Sequence, residues 1–177
     1  MQANNEARPP IRVADVDLGL PGHSTAVLRL LSQYARDQMG GGNDLPESTK
    51  SRILPELRKR EDYFGVLAFA GDDCVGLINS FEGFSTFKAR PLMNIHDVFV
   101  VPGQRGRGIS TLLLQRVEEE AKARGCCKMT LEVLEGNKLA QVIYARHGFH
   151  PYTLSEDLGR ALFWEKELPL SDVMEDC

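Results

Sequence analysis

The run Val98-Phe99-Val100-Val101-Pro102-Gly103-Gln104-Arg105-Gly106-Arg107-Gly108-Ile109-Ser110 constrains this chain more than any other. It reads as the end of a strand, a tight Gly/Arg loop and the first turn of an amphipathic helix. Helix-start N–H groups have no acceptor within the helix. Here they stand beside Arg105 and Arg107, and a phosphate or pyrophosphate satisfies both kinds of group. The better-known phosphate loops do not fit. There is no GxxxxGK[ST] run, and Gly106 and Gly108 are followed at position 111 by Thr, which breaks the GxGxxG fingerprint.

The flanking pattern sets the fold class. Ile11–Val16 alternates as a short strand. Gly22–Met39 carries Val27, Leu28, Leu31, Tyr34 and Ala35 at helical spacing, and Gly40-Gly41-Gly42-Asn43 ends it as a mobile loop. A second helix spans about Pro46–Arg60, with Pro55 dividing or kinking it. Strands at Tyr63–Ala70 and Cys74–Phe81 flank a Gly71-Asp72-Asp73 hairpin turn. Glu82–Pro91 reads as loop or irregular strand end, and Met93–Val101 as the next strand.

The helix after the Gly/Arg loop runs from about Gly108 to Arg124. Ile109, Leu112, Leu113, Val117 and Ala121 form its apolar stripe, and Gly125 stops it. Cys127–Leu134 is a strand, Asn137 caps a helix to His147, and Gly148 ends that helix. Phe149–Thr153 and Leu162–Leu168 read as two final strands. The class is therefore α/β (α+β): a mixed, mostly antiparallel sheet of six to seven strands with about four helices. Residues 10–170 form one domain between a tail at 1–9 and a second at 171–177.

Composition removes several function classes. A formal net charge of −4 gives no support to a nucleic-acid partner, whose nonspecific binding needs a basic face. No apolar run approaches the ~20 residues of a membrane helix, and residues 1–8 lack a signal peptide's apolar stretch, so a cytoplasmic protein is expected. Cys74, Cys126, Cys127 and Cys177 show no CxxC spacing, so no metal site is expected.

Arg105-Gly106-Arg107-Gly108-Ile109-Ser110 resembles the acyl-CoA signature of the GCN5-related N-acetyltransferases, the GNAT superfamily. That pattern is Gln/Arg, two residues, Gly, one residue, Gly/Ala. The chain matches at Arg105 and Gly108 and carries Ser110 at the last small position. Asn137-Lys138-Leu139-Ala140-Gln141-Val142-Ile143-Tyr144-Ala145-Arg146-His147-Gly148-Phe149 is similar to the family's second block. The resemblance spans roughly Val66–Leu168.

The resemblance implies direct attack of a primary amine on the acetyl-CoA thioester, with no acyl-enzyme. It implies that the fourth strand splays from the fifth in a V. The pantetheine arm then bonds near Phe99, Val100 and Val101 like an added strand. Backbone N–H groups from Arg105 through Gly106, Arg107, Gly108 and Ile109 to Ser110 hold the pyrophosphate, with Asn137 from the second block. Tyr144 aligns with the general acid that protonates the leaving thiolate.

His96 and Asp97 precede the cofactor slot. An ordinary imidazole pKa of about 6.5 suits His96 as base or water-holder. Asp97 suits ammonium binding or a base of raised pKa. Neighbouring strand residues face opposite ways, so one site uses both only across a bulge. The stretch Phe81–Phe87 through Asn94–Asp97 resembles the diamine and polyamine subgroup, which carries Glu-Asp where this chain has His96-Asp97. Phe81, Glu82 and Phe84 are the candidate substrate residues; Phe81, Phe84 and Phe87 favour an enclosed pocket.

The reading is thus an acetyl-CoA-dependent N-acetyltransferase acting on a small-molecule amine, with a homodimer expected from the family. Alternatives are a protein lysine or N-terminal acetyltransferase, and a noncatalytic acyl-CoA-binding module.

Overall fold

The computed structural model describes residues 8–168. Apart from residues 8 and 9, the expected tails at 1–9 and 171–177 lie outside the described residues. The chain runs β1 (Ile11–Asp15), α1 (Pro21–Arg36), α2 (Glu47–Arg58), β2 (Tyr63–Ala70), β3 (Asp73–Ser85) and β4 (Arg90–Val100). It continues through α3 (Ile109–Ala123), β5 (Met129–Leu131) and α4 (Lys138–Arg146). Pro55 sits inside α2 without dividing it.

The strands form one sheet in sequence order, β1-β2-β3-β4-β5. The first three pairings are antiparallel, and α3 carries the chain over to a parallel β4–β5 pairing. β2 and the first half of β3 are buried on both faces, which is why Phe64–Ala70 reads as a continuous apolar run. One face packs Val66, Ala68, Ile78, Met93 and Ile95 against Ile109, Leu113, Leu114, Val117 and Ala121 of α3. The other packs Leu67, Leu77 and Phe99 against Ala26, Val27 and Leu30 of α1. Each of the larger side chains contributes roughly 1.5–3 kcal/mol by leaving water, so both faces hold the sheet rigid beneath the site.

Three differences from the sequence expectation have physical causes. Glu82–Pro91 is mostly strand, because β3 and β4 keep pairing out to Ser85 and Arg90 and only residues 86–89 turn. The strand expected at Cys127–Leu134 shrinks to Met129–Leu131, the stretch in regular register with β4, with single bonds from Cys127 to Pro91 and from Met93 to Lys128 before it. Phe149–Thr153 and Leu162–Leu168 form no strands: a single bridge joins Thr153 to Arg160, and Phe163 and Trp164 are exposed. The sheet therefore has five strands, not six or seven. Among the described residues no helix is long and apolar enough to cross a membrane.

Candidate active site

β4 changes phase at His96. Ser80 of β3 pairs with Ile95, and its neighbour Asn79 pairs with Asp97, leaving His96 without a partner. Such an extra residue is a β-bulge, and it re-aims the side chains that follow. Met93 and Ile95 face α3, so strict alternation would aim Asp97 and Phe99 there too. The bulge turns them over: Phe99 packs with α1, and His96 and Asp97 line one cavity. The bulge on which a shared site depended is present.

That cavity holds about 400 Å³ between the sheet and the first two helices. α1 contributes Leu31, Tyr34 and Ala35, and α2 contributes Ile53, Glu56 and Leu57. Asn79, Phe81, His96 and Asp97 form the sheet wall, and Gly40, Leu45 and Arg60 complete it. The Phe81 and His96 rings meet edge to face at 5.9 Å. The Arg60 guanidinium lies 5.2 Å over the Phe81 ring and pairs with Asp62 at 2.6 Å. Asn79 Nδ2 donates to Asp97 Oδ2 at 2.9 Å, and Tyr63 Oη donates to Asn79 Oδ1 at 2.9 Å. Burial, and then the negative charge of Asp97, pushes the Tyr63 phenol up. Burial raises Tyr34 likewise, followed by Asp97 and Asp37. Among the described residues no lysine or arginine forms an ion pair with Asp97.

Of the residues assigned to substrate by sequence, Phe81 lines the cavity and Glu82 and Phe84 do not. Glu82 points to the other face of β3 and pairs with Arg124 at 3.3 Å. Phe84 is 64% exposed and Phe87 fully so, far along the β3–β4 hairpin. A larger cleft of about 690 Å³ between α1 and α2 holds none of the sequence-assigned residues. Its charged lining is Arg29, Arg36, Lys50 and Arg58, unsuited to an ammonium.

The Gly/Arg loop sits at the far end of β4. A 3₁₀ turn at Pro102–Gln104 leads to Gly106 (φ 80°) and Gly108 (φ 73°), both in the left-handed region that glycine reaches without strain. Helix bonding in α3 starts with Leu112 N–H to the Gly108 carbonyl, so Ile109, Ser110 and Thr111 N–H groups have no intrahelical acceptor. No acidic side chain occupies the first turn to compete with an anion. Arg105 turns its own N–H inward to Pro102 at 3.2 Å. Its guanidinium donates to the Val100 carbonyl at 3.1 Å and to Asp37 at 2.7 Å. The Met39 N–H, and then Arg105, holds the Asp37 carboxyl below its usual range. Arg107 bonds Gln104 and the Pro9 carbonyl.

β5 pairs with β4 only from Met93 to Ile95, so residues 96–100 of β4 have no strand on that edge. This is the V that the resemblance implied. A donor set at a helix start, two left-handed glycines and an unpaired strand edge suit a pyrophosphate with an extended amide-bearing arm. Tyr144, from α4, packs half-buried against the α3-side core and contacts Phe149 at 6.1 Å. Burial, and then Tyr34, pushes its phenol up to about 12. Asn137 caps α4 by accepting from Ala140 N–H at 3.2 Å.

Sequence reasoning missed Tyr34, Tyr63 and Asn79. Asn79 had a readable signal: a polar amide inside an apolar strand must find partners. The bulge had one too, since apolar positions 93, 95, 98 and 100 break period two between Ile95 and Val98.

Comparison with known proteins places these features in a family. The model of the acetyltransferase (GNAT) family matches residues 27–149. A thialysine N-epsilon-acetyltransferase of Bos taurus is 34% identical over 86 residues, covering 49% of this chain and 50% of that protein. An uncharacterized N-acetyltransferase of Methanocaldococcus jannaschii is 36% identical over 93 residues, covering 52% of this chain and 41% of that protein. The chain thus matches about half the length of these curated relatives or less. Among solved structures, a probable acetyltransferase has a TM-score of 0.71 at 23% identity, covering 91% of this chain and 99% of that one. AAC(6')-Iy, solved with the bisubstrate analog CoA-S-monomethyl-acetylneamine, has a TM-score of 0.70 at 17% identity, covering 90% and 99%. At these identities the solved structures establish the fold.

Proposed function

This chain belongs to the acetyltransferase (GNAT) family, and we propose that it transfers acetyl from acetyl-CoA to the primary amine of a small molecule. One observation carries the acceptor side: the His96 bulge sets His96 and Asp97 together on the wall of an apolar cavity. A carboxylate with no cationic partner in an aromatic pocket is a seat for an ammonium. A volume of about 400 Å³ lies within the range of small-ligand sites. The mammalian relative is named for the ε-nitrogen of thialysine, an amine of suitable size.

Backbone N–H groups of residues 106–110 would hold the pyrophosphate, with Arg107 adding charge. Arg105 would join them by giving up Asp37. The edge of β4 from Asp97 to Val100, including Phe99, would receive the pantetheine arm once Arg105 also releases the Val100 carbonyl, with Val101 and Asn137 flanking it. Acetyl-CoA supplies the thioester carbon that the amine attacks. Asp97 anchors the ammonium, and His96 takes its proton directly or through water. Tyr144, whose phenol burial pushes up to about 12, is protonated at neutral pH and returns a proton to the departing thiolate. A homodimer would cover the exposed Phe163 and Trp164.

The test is thiol release from acetyl-CoA across polyamines, lysine analogues, amino acids, aminoglycosides and a lysine peptide. Turnover with a small amine supports the proposal. Turnover with the peptide alone assigns a protein acceptor. Tight CoA binding without turnover assigns a noncatalytic module.

A further inference from the structure

We infer that Tyr63 and Asn79 are positioning residues that aim Asp97 at the substrate ammonium through a hydrogen-bond relay crossing three strands. The inference rests on the proposed amine acetylation and adds two residues that no part of that reading uses. The relay follows the register of the sheet. Gly65 of β2 pairs with Asn79 of β3, and Asn79 pairs with Asp97 of β4. Tyr63 lies two residues before Gly65 on the same face, and its ring spreads over that glycine. A Cβ at Gly65 would stand 2.2 Å from the Tyr63 hydroxyl oxygen, so the missing side chain makes room for the ring. The hydroxyl thereby reaches Asn79 Oδ1 at 2.9 Å, and Asn79 Nδ2 reaches Asp97 Oδ2 at 2.9 Å.

The polarity of the chain is fixed by chemistry. An ionised carboxylate only accepts, so the amide must turn its N–H toward Asp97. The amide oxygen then faces Tyr63, which must donate. Asn79 is 2% exposed and cannot exchange either bond for water. Asp97 is thus held by one oxygen, and its other oxygen is left for the cavity. Phe81 packs tilted against Tyr63 at 5.6 Å and meets His96 edge to face at 5.9 Å, so its ring stands between the two.

The experiment compares kcat and KM for amine and for acetyl-CoA in the full chain, as wild type, Tyr63→Phe, Asn79→Ala, Asp97→Asn and the double variants. Asn79→Ala is expected to lower kcat/KM for the amine about 10-fold or more, the scale of one hydrogen bond to a charged group. Tyr63→Phe is expected to lower it about 3-fold to 10-fold, since it only frees the amide to turn. KM for acetyl-CoA stays at the wild-type value. The Tyr63→Phe/Asn79→Ala pair performs like Asn79→Ala alone, because Tyr63 acts through Asn79. Should Asn79→Ala not fold, Tyr63→Phe in the Asp97→Asn background carries the same logic and should add nothing.

Multiplying effects in either double variant, or equal changes in both KM values, overturn the relay while leaving the acetyltransferase reading intact. A wild-type enzyme that acetylates no amine overturns both.

Discussion

Replacing Gly65 with alanine disturbs the candidate site from a position that touches no substrate. The new Cβ would lie 2.2 Å from the Tyr63 oxygen, 2.8 Å from Tyr63 Cζ and 2.7 Å from Val16 Cγ2. All three are far inside van der Waals contact, so the tyrosine must swing off the strand. Overpacking of this kind costs roughly 1–3 kcal/mol. The lost Tyr63–Asn79 bond costs about 1 kcal/mol more. Reduced freedom of the unfolded chain offsets roughly 0.5–1 kcal/mol. The net loss is about 1–3.5 kcal/mol. At about 2–4 °C per kcal/mol for a chain of this size, Tm should fall about 2–14 °C by circular dichroism. Amine kcat/KM should fall together with that of Tyr63→Phe, and KM for acetyl-CoA should not move. In a Tyr63→Phe background the same Gly65→Ala change should cost about 1 kcal/mol less, because the bond is already gone. A Gly65→Ala protein with wild-type Tm and wild-type amine KM would refute the reasoning, as would an identical cost in both backgrounds.

Tyr144→Phe should lower kcat by about 10²-fold or more, the usual share of a general acid, and leave Tm within about 3 °C; unchanged turnover removes Tyr144 from the mechanism. Burial raises the Tyr144 pKa to about 12, above its ordinary 10.0, so the folded state favours the protonated phenol. Its contribution to stability is full below pH 10 and is lost as pH rises toward 12. A fall in kcat that begins below pH 10 and persists in Tyr144→Phe then belongs to another group. Burial also pushes the Cys74 thiol up to about 11. Mass-spectrometric mapping after iodoacetamide treatment at pH 8 should find Cys74 unlabelled in native protein and labelled after denaturation, since thiolate is the reacting form. Native labelling of Cys74 ahead of Cys127 contradicts that burial.

Local signals carried much of this architecture in the sequence. The apolar run Phe64–Ala70, the glycines at 106 and 108, and the Asn137 cap each follow from short-range rules and appear where those rules placed them, while the stripe of α3 keeps Ile109, Leu113, Val117 and Ala121 but buries Leu114 in place of Leu112. What was not legible depends on partners distant in sequence. Cys127–Leu134 alternates well, yet its backbone bonds to β4 reach only from Cys127 to Leu131, and the regular ladder covers Met129–Leu131 alone. Leu162–Leu168 has strand composition and no neighbour to pair with. The candidate site shows the same division. Asp97 was visible as a residue beside the cofactor slot, but its direction depends on one unpaired residue, His96. Tyr63 and Asn79 sit 16 residues apart and are joined only by the β2–β3 register. Glu82 and Phe84 were assigned with the stretch that resembles the diamine and polyamine subgroup, and the two-residue period of β3 turns both away from the cavity.

The most direct measurement is mass spectrometry of a reaction containing the protein, acetyl-CoA and a small primary amine, run with wild type and with Asp97→Asn. The account predicts one acetyl group on the amine nitrogen, free CoA in equal amount, no acetyl on the protein, and an amine KM raised at least about 10-fold in Asp97→Asn. Acetyl retained on a protein side chain, or an Asp97→Asn variant with wild-type amine KM, would contradict direct transfer to an ammonium seated on Asp97.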